Sequence, residues 1–323
     1  MDEPKPRDLA RQILPAEYLD LHGLAGLGLT PRTVAKEVAA GRLIRLRKGR
    51  YASTELHEDL MRAGELGARL DCVSLLAAIG IFVGSSDGFH VHVERGASRI
   101  PAPAPEVVRH WRRSSCTRRA LAADIREALA QAVRCQSQSD AVATLDSAWH
   151  HGIIDESDIA QIFAMLPLQY QGIRGLLDRR AESGTETLMR LLLRTLGCDI
   201  DVQVWISGVG RVDFVVDGWL IVECDSKAYH EGWKKQKLDR RRDIAAAALG
   251  YTTVRPLAED ILYDPDAVLA VMKAILAHPP RRRPVRNSST PHARRRSRRR
   301  IGGDRRGSEE LRPAGAQRHA RRR

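Results

Sequence analysis

Two short apolar runs that each carry acids constrain this chain more than any other feature. Arg211-Val212-Asp213-Phe214-Val215-Val216 places an aspartate where a buried strand should carry an aliphatic side chain. Trp219-Leu220-Ile221-Val222-Glu223-Cys224-Asp225 ends on two more acids. Runs of this kind, separated by Asp217-Gly218, read as neighbouring strands. Patterning adds a helix over 185–196 and a strand over 202–206 before them. It adds a helix over about 232–249, a strand over 252–255 and a helix over 265–277 behind them. That order predicts an α/β unit with a mixed sheet.

Ionised carboxylates among aliphatic side chains are costly unless something positive sits between them. Glu223 and Asp225 are two apart and share a face of their strand. Whether Asp213 joins them depends on the turn. A two-residue Asp217-Gly218 loop pairs Asp213 with Val222 and puts Glu223 on the opposite face. A three-residue loop or a bulge pairs Asp213 with Glu223 directly. In the second register the acids form a hard oxygen site suited to Mg²⁺ or Mn²⁺, ions that grip phosphate oxygens and activate bound water for phosphodiester hydrolysis. The alternative for a strand aspartate is an edge position or a satisfied hydrogen bond.

Beyond the acids, the run continues through Ser226-Lys227-Ala228-Tyr229-His230, then Asp239-Arg240-Arg241-Arg242-Asp243 and Leu249-Gly250-Tyr251. Together these segments resemble the very-short-patch-repair (Vsr-like) branch of the PD-(D/E)XK nucleases over about 90 residues. The resemblance implies a restriction-endonuclease-like mixed sheet flanked by helices, with Asp213 as central metal ligand and Glu223 in the second acidic position. Glu186 corresponds to the upstream acid, and His230 to a histidine that assists the nucleophile. Asp239, Arg240 and Asp243 would lie on a helix over the site, or else on a solvated face. The superfamily lysine is replaced by Asp225, and Lys227, two residues on, is the nearest substitute. The repair branch lacks that lysine too. Trp205, Trp219 and Trp233 are expected in the core or at a sheet edge.

Near the start, Thr30-Pro31 supplies an N-cap and a first-turn proline, Val34, Val38 and Ala35 form the inner face, and Gly41 ends the helix. Arg32, Lys36 and Glu37 point outward. Leu43 to Tyr51 then alternates apolar and basic residues around Lys48-Gly49. This helix and wing resemble the winged helix-turn-helix of AbiE-type antitoxins, which implies Arg32 and Lys36 facing a DNA groove and Arg45, Arg47, Lys48 and Arg50 on phosphates. A protein-docking winged helix is the alternative. The middle segment resembles the region that comes after the winged helix in those antitoxins, including Leu145-Asp146-Ser147-Ala148-Trp149-His150-His151-Gly152. It carries no catalytic pattern.

Charge must be located before it is used. The chain carries +13, but residues 279–323 hold 17 Arg against 3 acids, a tail of +14 that leaves residues 1–278 at −1. DNA binding by the folded part must therefore rest on local patches, while the tail adds nonspecific nucleic-acid affinity or is an inert extension. That tail is rich in Arg, Pro, Gly and Ser, a composition expected to be disordered. The five cysteines, Cys72, Cys116, Cys135, Cys198 and Cys224, are scattered without a C-x-x-C pair or a Cys/His cluster at zinc spacing, and read as reduced, mostly structural thiols. His90 and His92 alternate on one strand and could ligate metal, but with no third ligand nearby a structural role is expected. No apolar run approaches the roughly 18 residues of a membrane span, and Met1-Asp2-Glu3-Pro4-Lys5 does not open a signal peptide, so a cytoplasmic protein is expected.

The expected architecture is α/β, α+β overall. A winged helix occupies 1–58, a mostly helical spacer 59–182, a Vsr-like endonuclease domain 183–278 and a tail 279–323. The expected activity is a Mg²⁺- or Mn²⁺-dependent endodeoxyribonuclease on double-stranded DNA, in phage defence or DNA repair, with a homodimer left open. A non-catalytic DNA-binding regulator or antitoxin with a degenerate nuclease fold is the alternative.

Overall fold

The computed structural model describes residues 4–84, 87–98, 100–102, 104–224 and 233–280. All of them fall within one compact unit, residues 1–288. Among them, helices alternate with one antiparallel hairpin and two mixed sheets. None of the helices is long and apolar enough to cross a membrane.

The chain opens with helices α1 (Pro6–Ile13), α2 (Leu21–Gly26) and α3 (Pro31–Ala39). In α3 the Thr30 hydroxyl accepts from the backbone N–H of Thr33, and Pro31 sits in the first turn where its missing N–H costs nothing. Val34 is buried and Val38 half-buried, but Ala35 is exposed, so the inner face is narrower than expected. Strands β1 (Leu43–Arg47) and β2 (Arg50–Ser53) form the wing, closed by Lys48-Gly49 with Gly49 at φ +75°. Leu46 and Ala52 point inward from it.

Next come α4 (Glu58–Glu65), β3 (Arg69–Leu70), α5 (Cys72–Ala78), β4 (Phe89–Glu94) and β5 (Val107–Arg112). β4 lies between an antiparallel β3 and a parallel β5. Helices α6 (Ile125–Cys135), α7 (Gln138–His150) and α8 (Glu156–Ala164) follow, and then a 3₁₀ stretch over Leu168–Leu176. The Asp124, Ser137 and Asp155 side chains cap the three helices. Ile13, Leu46 and Ala52 share one core with Leu60, Leu75, Val91, Leu129 and Ile162. The first 58 residues and the segment that follows them are therefore packed through a common interior.

The remaining elements are α9 (Gly184–Thr195), β6 (Ile200–Ile206), β7 (Gly210–Val216), β8 (Leu220–Val222), α10 (Trp233–Ala248), β9 (Thr252–Val254), α11 (Ala258–Tyr263) and α12 (Pro265–Leu276). The sheet order is β6-β7-β8-β9, antiparallel except for the parallel β8–β9 pair. One face buries Phe214, Val216, Leu220 and Val222 against Leu188 and Met189 of α9, Ile261 of α11 and Met272 of α12. The other buries Val215 and Ile221 against Ala246 of α10. Helices on both faces explain why these strands read as nearly unbroken apolar runs. Full burial of a side chain such as Phe214 contributes about 1.5–3 kcal/mol.

A buried ion pair joins the spacer to this sheet unit. Asp146 of α7 accepts from Arg190 Nη2 at 2.8 Å, Thr187 Oγ1 at 3.1 Å and the backbone N–H of Asp178 at 2.8 Å. Its carboxyl is still pushed up to about 6, because burial outweighs these partners. All five cysteines are free. Although scattered in sequence, Cys72 and Cys135 meet His90 and His110 in space. Residues that far apart in sequence leave no local metal-binding spacing to read. His92 stays structural, held by Arg69 Nη1 at 3.0 Å and by the Arg112 carbonyl at 3.0 Å.

Candidate active site

The turn between β7 and β8 decides the geometry of the acids. Val216 pairs with Leu220, so Asp217-Gly218-Trp219 is a three-residue loop, with Asp217 at φ +49° and Gly218 at φ +74°. The register runs through Val215–Ile221 to Phe214–Val222. Continued by one step, it brings Asp213 opposite Glu223, the second of the two registers open from sequence.

Asp213 is largely withdrawn from solvent. Its Oδ2 accepts from the backbone N–H of Cys224 at 2.9 Å, and its Oδ1 faces Gln203 Nε2 at 3.4 Å. The same Gln203 nitrogen donates to Glu186 Oε2 at 2.9 Å. One amide thus bridges two carboxylates. Burial, with the Glu186 charge second, pushes the Asp213 carboxyl up to about 6. Gln203 Oε1 is buried with no hydrogen-bond partner. Its backbone lies at φ +54°, and the β6–β7 register passes from Val202–Phe214 to Val204–Val212 across it.

Glu186 sits in the first turn of α9, where Ser183 caps the helix. The Ser183 hydroxyl accepts from the Glu186 N–H and donates to Glu186 Oε1 at 3.0 Å, while the Glu182 N–H reaches Oε2 at 2.9 Å. This local capping fixes the carboxylate beneath β6 and β7. The helix N-terminus also favours its negative charge.

Glu223 is held differently. Its Oε1 accepts from Arg242 Nη2 at 2.8 Å and its Oε2 from Arg255 Nη1. Arg255 also pairs with Asp243 at 2.9 Å, and Arg242 reaches the carbonyls of Val209 and Arg211. Burial raises the Glu223 carboxyl despite both guanidinium groups. Helix α10 therefore lies over the site through Arg242 and Asp243, while Asp239 stands 3.8 Å from Arg242.

Of the expected site residues, Glu186 and Asp213 are linked through Gln203, and Glu223 lies across the β7–β8 pair in an arginine clamp. Among the described residues, no three of these acids bring one oxygen each within 4.8 Å of one another. Asp225, Lys227 and His230 lie outside the described residues, as does the Trp233 side chain. Trp219 is buried and Trp205 is exposed on the edge strand β6. Sequence reasoning misses Gln203, Arg242 and Arg255. An amide inside Val202-Gln203-Val204 is the available signal for Gln203; the two arginines offer none, since their partner is set by the packing of α10 and β9.

Neither protein-family models nor curated proteins give a match to the chain. The chemistry of the site therefore has to speak for itself. Two carboxylates share one amide, whose own oxygen is buried and unpartnered, so the donors gathered here are oxygens rather than sulfur or imidazole. Glu223 fits a metal ion only by giving up an arginine.

At the other end of the chain, Arg32, Lys36, Arg45 and Lys48 are exposed, and Arg47 and Arg50 are half-buried. Arg50 stacks over the Tyr18 ring with its guanidinium carbon 4.6 Å from the centroid. Arg32 and Lys36 on α3 and Arg45 and Lys48 on the hairpin thus leave four cations open to solvent.

Proposed function

We propose that the chain is a Mg²⁺- or Mn²⁺-dependent endodeoxyribonuclease of PD-(D/E)XK type, Vsr-like, delivered to double-stranded DNA by its winged helix. The observation that carries this reading is the Glu186–Gln203–Asp213 constellation, with a buried charge-bearing carboxylate and an orphaned amide oxygen at one place on the sheet. When bound there, a divalent ion supplies Lewis-acid polarisation of a phosphate and a more acidic water. Asp213 and Glu186 are the residues to hold it. Gln203 orients both carboxylates, and the Cys224 N–H fixes the second Asp213 oxygen. Arg242 and Arg255 set the position of Glu223 and offset its charge. The exposed cations of α3 and the wing bind DNA phosphates and so position the duplex.

A second reading is favoured by the arginine clamp on Glu223, which occupies both oxygens of an acid the resemblance assigns to metal. In that reading the sheet unit is a degenerate nuclease and the chain a DNA-binding regulator or antitoxin. Cleavage of supercoiled plasmid by the full chain with Mg²⁺ or Mn²⁺ separates the two. The nuclease gives metal-dependent nicking or linearisation that is lost in Asp213→Ala and Glu223→Ala. Intact plasmid with retained DNA binding selects the regulator.

A further inference from the structure

A second constellation, in the spacer, has no part in the carboxylate site. Cys72 opens α5, His90 lies on β4, His110 on β5 and Cys135 at the end of α6. One donor atom from each lies within 4.8 Å of every other. His90 Nδ1 is 3.1 Å from His110 Nε2, and Cys135 Sγ is 3.9 Å from the same His110 nitrogen. Tetrahedral zinc, with Zn–N of about 2.0–2.1 Å and Zn–S of about 2.3 Å, sets its ligand atoms about 3.3–3.8 Å apart. These two separations bracket that range.

The surroundings are arranged as they are around metal ligands. His90 Nε2 lies 3.1 Å from the Asp87 carbonyl, an acceptor only, so Nε2 carries the proton and the Nδ1 lone pair faces the other three groups. Gln131 Nε2 donates to Cys135 Sγ at 3.3 Å and supports a thiolate there. Cys72 is fully buried and adopts φ +53°, a conformation costly for a residue with a side chain unless its surroundings hold it there. Cys135 is exposed, which leaves the ion a route in. Two thiolates and two neutral imidazoles around Zn²⁺ sum to zero charge, as a partly buried site requires.

We propose that Cys72, His90, His110 and Cys135 bind one structural Zn²⁺. With four protein ligands the coordination is closed, so the ion is a staple rather than a catalyst: it ties α5, β4, β5 and α6 together. The site is independent of Asp213, and its failure leaves the nuclease reading as it stands.

Elemental analysis of the full chain, purified without chelator or added metal, should find about one zinc per chain. Cys135→Ser and His110→Ala should each lower that severalfold, while Cys116→Ser retains it. Because a ligand variant could simply fold badly, a second readout uses the wild-type chain refolded with Co²⁺. It should show the intense visible band of a tetrahedral site with thiolate charge transfer. A metal-free wild-type chain with a featureless Co²⁺ spectrum would overturn the proposal, as would iron in place of zinc or a Cys72–Cys135 disulfide in the purified protein.

Discussion

Asp213 keeps its proton up to a pH of about 6 because burial and the charge of Glu186 both oppose ionisation. An acid whose folded pKa lies above its ordinary 3.8 takes up a proton on folding between those values. Its contribution to stability therefore falls as pH rises through that window, and stays unfavourable above it. Asp213→Asn has no charge to bury. It should raise stability at about pH 8 by on the order of 1–3 kcal/mol, with the gain gone below about pH 4, while abolishing cleavage. Urea midpoints at the two pH values measure this, and a pH-independent difference would remove charge burial as its cause. Burial shifts Glu223 in the same direction, but its replacement also acts on its two arginine partners. Glu223→Gln leaves Arg242 and Arg255, each with a quarter of its side chain exposed, facing a neutral amide. The expected loss is about 1–3 kcal/mol, read from the same melts. An unchanged midpoint would show that the clamp contributes nothing to the fold. Neither environment can be read from residues 213 and 223 themselves, since Gln203, Arg242 and Arg255 reach them only through strand pairing and helix packing.

Among the elements, α9 joins the sheet to the spacer. Its first turn presents Glu186 to the sheet, and one turn on, Arg190 enters the buried pair with Asp146 of α7. Both side chains are almost wholly buried. Asp146→Ala strands a guanidinium in the interior and should cost about 3–5 kcal/mol, more than restoring an apolar pair at both positions would. A midpoint shift in chemical denaturation below about 1 kcal/mol would mean that water reaches Arg190. The element boundaries themselves are largely legible. Caps at Thr30, Ser137 and Ser183, prolines at Pro31 and Pro265 and apolar spacing are local signals, and α3, α6 to α9, β6, β7 and α12 follow them within a few residues. β5 has no such signal, because Val107 to Arg112 mixes apolar, basic and aromatic residues and becomes a strand by parallel pairing with β4.

For the molecule as a whole, charge is divided between a nearly neutral region and a tail carrying +14. DNA affinity in low salt should fall on removal of residues 281–323, and it should then depend on the wing. Arg45→Glu with Lys48→Glu in that shortened chain should weaken binding equally for unrelated duplexes and reduce the salt slope by about 1–2. Filter binding across a salt series measures it; a slope unchanged by both substitutions would place the DNA elsewhere. The sequence by itself determined the alternation of helices and strands, the apolar faces of the sheet, the first turns of the helices and the presence of acids where aliphatics belong. Each is a matter of local period or composition. The tertiary structure alone decided the three-residue turn that sets the β7–β8 register, the Gln203 bridge, the arginine clamp and the meeting of Cys72, His90, His110 and Cys135. Those depend on contacts between residues that share no period and lie many positions apart, and the energy of such contacts is not written in any one segment.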